Sequence, residues 1–383
     1  MDIFLIGYLI VTILLSLAIN YLLLKFSFNL GSRNNLAFKQ VRWTSHVKPS
    51  IGGISFFIIF LLSWGVYGFI SQEKGIVPDR QIIGLVAATS LGFLAGLYDD
   101  AFNTNPLLKF ILQFTCGLIL VVCNVKINIS NIELINIFFT LVWVVGMMNS
   151  INMLDNMDGV TASISAFIIA GLIVVLAITG HSSPDFYLLS LIGVLGSLIG
   201  FLRFNWSPSK IFMGDTGSQF LGVFLAGSSI LFLWQFNEGN QGLFQVKPFV
   251  LPALFFIIPI IDTTTVTIRR LMRGDSPFVG GKDHITHHFA YLGIKENNIV
   301  LILLATTLLS FPIAILLLTN PATWNFYVSF GVLAYVVALF FVFQFYYKKG
   351  EIAHQKKLHD QRPIPKITKE SLAAFTEKLQ AKN

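Results

Sequence analysis

The stretch Gln81-IIGLVAATSLGFLAGL-Tyr98-Asp99-Asp100 runs through some eighteen uncharged residues and stops on two adjacent carboxylates. A helix needs about 20 predominantly apolar residues to cross a bilayer. Carboxylates at such a boundary are costly unless they are paired, hydrated or bound to a cation. The same pattern recurs along the chain, which reads as an all-α integral membrane protein with about eleven transmembrane helices. The expected spans are 3–24, 51–70, 81–98, 107–125, 132–148, 160–178, 186–202, 217–235, 249–268, 298–318 and 324–346.

Composition agrees. Of 383 residues 55% are apolar and 12% charged, with a mean hydropathy of +0.73. These values belong to membrane proteins rather than large soluble domains. The spans lack the short alternating pattern of a β-barrel. The first span has no basic segment before it and is read as a retained helix. Cys116 and Cys123 share the fourth span and read as small core residues.

Eleven spans put the chain ends on opposite sides, and Lys and Arg orient them. One set of connections, with the tail, carries 22 of the 26 basic residues. That set is therefore expected in the cytoplasm, together with the C-terminus, and the N-terminus outside. Two parts follow: a transmembrane catalytic domain, 1–346, and a cytoplasmic basic tail, 347–383. In the tail, 368–381 reads as an amphipathic helix with Leu372, Phe375 and Leu379 on one face, suited to an anionic membrane surface.

Three clusters of carboxylates fall on the cytoplasmic side, so the active site is expected on cytoplasmic loops. The first is Asp99-Asp100, at a helix C-terminus whose dipole opposes them and makes a cation reasonable. The second is Asn149-Ser-Ile-Asn152-Met-Leu-Asp155-Asn156-Met-Asp158-Gly159. Its amides suit recognition of a base or sugar, although Asp158 also reads as a cap for the sixth span. The third runs from Asn205 through Lys210 and Phe212 to Gly214-Asp215-Thr216-Gly217-Ser218. There a Gly-rich turn precedes a helix N-terminus, a place for anions, and Phe212 offers a flat face to a base. Carboxylates beside an anion-friendly turn point to a hard divalent cation bridging to phosphate.

The ninth connection holds Arg269, Arg270, Arg273, His284, His287 and His288. Arginine binds phosphate bidentately, so this segment suits a polyanionic substrate. A zinc site on His284 and His288 lacks a third ligand at the usual spacing other than Asp283. Arg42, His46 and Lys48 form a further basic stretch before Pro49-Ser50-Ile51-Gly52-Gly53. Asp262, inside the ninth span, reads as site-facing or salt-bridged. His181, His354 and His359 read as solvated.

These motifs, in this order over most of the chain, resemble the polyprenyl-phosphate N-acetylhexosamine-1-phosphate transferases. The pieces are Lys48–Gly53, Asp99-Asp100, Asn152-x-x-Asp155-x-x-Asp158-Gly159, Lys210–Ser218, and Gly274-x-Ser-Pro-Phe278 leading to the histidines. The resemblance implies transfer of a HexNAc-1-phosphate, by default GlcNAc-1-phosphate, from a UDP-sugar to undecaprenyl phosphate with release of UMP. That is the first membrane step of cell-surface polysaccharide synthesis. It implies Mg²⁺, with Mn²⁺ as the alternative ion, held by Asp99, Asp100, Asp155 and Asp215. Catalytic roles fall to Asp99, Asp100, Asp215, His287 and His288. Substrate contacts fall to Lys48, Asn152, Asp155, Asp158, Asn205, Phe212, Arg269, Arg270 and His284. Location in the bacterial inner (cytoplasmic) membrane, contact with membrane lipids and a homodimer follow from the same likeness; no nucleic acid is expected as a partner.

Two positions depart from the family pattern. Asn156 stands where a glycine is common, and His284 is displaced by one residue from the usual His-x-His-His. The phospho-N-acetylmuramoyl-pentapeptide transferases of peptidoglycan synthesis are the alternative branch. A cation-coupled secondary transporter is the alternative class, disfavoured because its ion sites would lie near the bilayer midplane.

Overall fold

The computed structural model describes residues 3–29, 48–73, 78–180, 185–236, 246–276 and 280–360. Arg42, His46, Phe278, His181 and the expected tail helix 368–381 lie outside the described residues. Among the described residues the regular structure is helical: α1 (Ile3–Asn29), α2 (Gly52–Glu73), α3 (Arg80–Phe102), α4 (Pro106–Val122), α5 (Glu133–Leu154), α6 (Val160–Ile178), α7 (Phe186–Asn205), α8 (Gly214–Phe232), α9 (Val250–Phe255), α10 (Ile257–Arg273), α11 (Ile285–Tyr291), α12 (Glu296–Thr319) and α13 (Phe326–Asp360). Every backbone polar group in hydrocarbon must be bonded internally, which is why the apolar runs become helices.

Eight of these helices are individually long and apolar enough to cross a membrane, or nine spans if one bent pair counts as one. The chain is a multi-pass membrane protein. The count differs from eleven at three places, each for a physical reason. α4 has only 17 residues. The expected span 249–268 is broken at Phe256, with an 87° bend between the segments on either side. α8 is the third, because its first turns carry Gly214, Asp215, Thr216, Gly217, Ser218 and Gln219.

That polarity is explained by position. α8 is the hub of the bundle, packed by α3, α5, α2 and α6 and buried on nearly every side. A helix wrapped in protein does not have to be apolar toward lipid. Small residues let the neighbours approach. A Cβ on Gly96 of α3 would stand 2.2 Å from the Asp215 carbonyl oxygen, and one on Gly53 would stand 2.2 Å from the Gly217 nitrogen. These contacts hold the ends of α2 and α3 against the first turn of α8. Around this hub, α1 packs on α7, α6 on α7 and α12, and α11 on α13.

The last helix runs unbroken to Asp360, through the 346/347 boundary where the tail was expected to start. Lys348, Lys349, Lys356 and Lys357 therefore lie on a helix.

Candidate active site

Four helix ends meet at one ammonium group. α4 opens on Asn105-Pro106: the Asn105 side chain accepts from the Leu107 amide at 2.8 Å, and the proline sits in the first turn, where no amide donor is needed. One turn in, Lys109 Nζ donates to Asp99 Oδ2 and to Asp215 Oδ2, both at 2.8 Å. It also lies 3.5 Å from Asn152 Oδ1. The Asn152 amide donates to Asp215 Oδ1 at 2.7 Å and to Ser218 Oγ at 2.8 Å. Asp99 Oδ1 accepts from the Thr104 amide at 2.8 Å and from the Thr104 hydroxyl. The site is therefore built on helix ends of α3, α4, α5 and α8 rather than on the loops expected from the sequence. Ends of packed helices are stiffer supports than loops.

Asp100 faces another way. Its Oδ1 accepts from the Asp215 amide at 3.0 Å, and its Oδ2 from the Thr216 amide at 2.8 Å and hydroxyl at 2.6 Å. The carboxylate of α3 thus caps α8, and Gly214, at φ +77, turns the chain into that helix. A Cβ at 214 would stand 2.7 Å from Asp100 Oδ2. The dipole repulsion expected at the end of α3 is answered in two parts. The positive N-terminus of α8 takes Asp100, and Lys109 takes Asp99.

A second polar layer lies one helical turn further along each element. Gln113 follows Lys109 by four residues, Gln219 follows Asp215 by four, and Asn149 precedes Asn152 by three. Gln113 Nε2 donates to Asn149 Oδ1 at 3.2 Å and to Gln219 Oε1 at 3.1 Å, and the Asn149 amide donates to Gln113 Oε1 at 2.7 Å. Side-chain hydrogen bonds of this kind fix the rotation of packed membrane helices.

The residues expected on the nucleotide side form a separate latch. Asp158 is buried and accepts from the Ser209 amide at 2.9 Å, the Ser209 hydroxyl at 2.8 Å and Lys48 Nζ at 3.3 Å. Gly159, at φ +75, rather than Asp158, stands at the cap position of α6. Its amide donates to Asn205 Oδ1 at 3.0 Å, while Asn205 Nδ2 donates to the Ile211 carbonyl at 2.9 Å. The strand-like pairing of Ser50 with Phe212 places Lys48 Nζ 5.0 Å from the Phe212 ring centre. This cation–ring contact and the Asp158 pair join the 48–53 and 205–213 segments. Asp155 ends α5.

The basic segment is a third group. Arg270, expected to hold substrate phosphate, is buried and bonded to Asp283 through Nε at 2.9 Å and Nη2 at 2.7 Å. Arg273 reaches the same carboxylate at 2.9 Å. Burial alone would raise the Asp283 carboxyl; the Arg270 and Arg273 guanidiniums outweigh it and bring the pKa down to about 2. Arg269 lies over the Tyr347 ring at 4.6 Å. His284 Nδ1 is 2.8 Å from Asp262 Oδ2, and Asp262 Oδ1 accepts from the Ile285 amide at 2.9 Å, so Asp262 seats the start of α11. His288 stacks on Tyr347 at 3.6 Å between ring centres. His354, expected to be solvated, stacks on Tyr291 at 3.9 Å. Burial pushes the His287 pKa down to about 3 and the His288 pKa down to about 4, so both rings are neutral at physiological pH.

The donor set can be tested for a cation. Among the described residues, no three His, Cys, Asp or Glu side chains gather into a metal site. The expected ensemble of Asp99, Asp100, Asp155 and Asp215 is not assembled, since Asp100 is taken up by α8. Asp99 and Asp215 nevertheless aim one oxygen each at the Lys109 ammonium, beside the Asn152 amide oxygen. A positive charge already occupies the point between them, and these hard oxygen donors suit Mg²⁺.

Sequence reasoning missed Lys109, Thr104 and the Gln113–Asn149–Gln219 layer. The signal for Lys109 was present: a lone cation one turn inside an apolar helix is a functional candidate by default.

A sequence profile for glycosyl transferase family 4 matches residues 82–233, the part that carries Asp99, Lys109, Asn152 and Asp215. The chain is 27% identical over 325 residues to a probable undecaprenyl-phosphate N-acetylglucosaminyl 1-phosphate transferase of Bacillus subtilis, covering 82% of this chain and 85% of that protein. It is 28% identical over 293 residues to the decaprenyl-phosphate N-acetylglucosaminephosphotransferase of Mycolicibacterium smegmatis, covering 67% and 69%. It is 29% identical over 313 residues to a phospho-N-acetylmuramoyl-pentapeptide-transferase of Prochlorococcus marinus, covering 75% and 84%.

Proposed function

We propose that the chain is a member of glycosyl transferase family 4, and that it transfers a HexNAc-1-phosphate from a UDP-sugar to a polyprenyl phosphate and releases UMP. GlcNAc-1-phosphate and undecaprenyl phosphate are the first choices, following the name of the Bacillus subtilis relative. The observation that carries the reading is the convergence of Asp99 and Asp215 on one cation at 2.8 Å, inside the region that matches the family. The excess of Lys and Arg on these connections supports a cytoplasmic position for this face, where nucleotide-sugars are available.

A lipid phosphate oxygen attacks the β-phosphorus of the UDP-sugar. The new O–P bond forms as the bond to the α-phosphate oxygen breaks, and UMP leaves with that electron pair. A phosphate monoester has a second pKa of about 6, so the nucleophile is already mostly dianionic at pH 7 and needs little help from a base. Asp99 and Asp215 would hold Mg²⁺, which supplies charge neutralisation at the pyrophosphate. Lys109 keeps the two carboxylates facing each other and adds positive charge beside the transferred group. Asn152 fixes Asp215 from the other side. His287 and His288, both neutral, the latter stacked on Tyr347 of α13, are hydrogen-bonding groups rather than fixed charges.

The test is UMP release by purified protein with UDP-GlcNAc, Mg²⁺ and undecaprenyl phosphate. Undiminished release from Asp215→Ala or Asp99→Asn would remove the assigned role. The peptidoglycan reading has one observation in its favour, the likeness to the Prochlorococcus marinus protein. A donor panel that includes UDP-N-acetylmuramoyl-pentapeptide separates the two.

A further inference from the structure

The end of α5 touches both halves of the site. Asn152, in its last turn, donates to Asp215 and Ser218. Four residues on, Asn156 Oδ1 accepts from the Thr286 hydroxyl at 2.5 Å, and Asn156 Nδ2 donates to the Met153 carbonyl at 2.9 Å. One end of this amide is bonded to its own helix end and the other holds α11.

α11 has seven residues, too few to be stable alone, so its place is set by what grips it. Asp262 of α10 holds its start through Ile285 and His284. Tyr347 of α13 stacks on His288. Asn156 takes Thr286, the residue directly before His287. Of these three grips, the Asn156 contact alone comes from the segment that also carries Asn152. A glycine at 156 would leave the Thr286 hydroxyl without that acceptor.

We propose that Asn156 is a positioning residue. Through Thr286 it ties the histidine segment to the carboxylate–lysine centre, so that both halves act on one substrate. The two departures from the family pattern, Asn156 and the displaced His284, are then linked: the segment between His284 and His287 is held by the side chain at 156. The inference rests on the transfer reading for its kinetic consequence but not for the joint itself.

The experiment uses the full-length protein in detergent. Asn156→Ala, Thr286→Val and the double variant are compared by UMP release and by amide hydrogen exchange over 284–292 without substrate. Each single change is expected to lower kcat about tenfold, the scale of one hydrogen bond, with KM for the UDP-sugar nearly unchanged. The double variant is expected to lose no more than Asn156→Ala alone, because all three remove the same Asn156–Thr286 contact. Exchange over α11 is expected to quicken in all three. Thr286→Ser keeps the hydroxyl donor and retains activity and exchange near wild type. Additive losses, unchanged exchange, or a Thr286→Ser as damaged as Thr286→Val would overturn the joint. A wild type that releases no UMP, yet whose α11 exchange responds to these variants, would overturn the transfer reading and leave the joint standing.

Discussion

The carboxylate–lysine centre and the arginine–histidine segment both pair acids with bases, yet they are built on opposite principles. At the first, a single cation stands between two carboxylates contributed by separate helices, and Lys109 is about a quarter exposed on its side chain. Two anions share one cation there, so the cluster retains negative charge for a further cation. At the second, two guanidiniums converge on the Asp283 carboxylate, and Arg270 is 5% exposed on its side chain. That pair is closed. The difference teaches that a count of charged residues does not locate reactive charge; the balance within each cluster does.

The largest expected effect breaks the first cluster. Asp215→Ala should lower kcat by on the order of a thousandfold or more, the scale of losing a principal electrostatic contact to the reacting group, measured by UMP release. Lys109→Met should come next, with turnover down about a hundredfold and a lower Tm, because two partly buried carboxylates are left facing each other. The second cluster should behave in reverse. Arg270→Met should cost about 3 kcal/mol of stability by leaving Asp283 buried without its main partner, and the double variant Arg270→Met/Asp283→Leu should regain most of it. Equal kinetic damage in the single and the double variant would instead give Arg270 a direct role on substrate.

A smaller effect concerns pH. His287 and His288 titrate below the usual histidine range in the folded protein, at about 3 and about 4. The unfolded chain therefore binds protons first. Stability from these rings is complete above pH 6.5 and falls as the pH drops from about 6.5 toward 4. Thermal melts across this range should show the fall, and His287→Gln should flatten part of it. The smallest effect is expected at the latch: Lys48→Met removes a long pair at 3.3 Å while Asp158 keeps the Ser209 amide and hydroxyl, so the cost should be about 1 kcal/mol.

Legibility in the sequence followed the range of the interactions. The helices followed from apolar runs, since satisfaction of the backbone in lipid is a local demand. α8 was visible as a run but not as the hub, because its polar first turn signals burial only once α2, α3 and α5 are placed around it. Asp99 and Asp215 stood out by residue type. Their sharing of Lys109 did not, because the three residues span more than a hundred positions. Asp100 was grouped with Asp99 as its neighbour in sequence, but adjacent helical residues point in different directions. One meets Lys109 and the other caps α8. Arg270 looked like a phosphate binder until folding brought Asp283 to it.

By itself the sequence determined the membrane-embedded helical character, the order of the motifs and the family they resemble. All three rest on composition and on residues close together in the chain. Only the tertiary structure decided which charge meets which. It made α8 a buried hub, gave Lys109 to Asp99 and Asp215, closed Arg270 against Asp283 and set the Thr286 hydroxyl on Asn156. The physical reason is the same throughout: in a poorly solvated interior each charge or amide takes the nearest partner in space, and distance in space is fixed by helix packing rather than by separation along the chain.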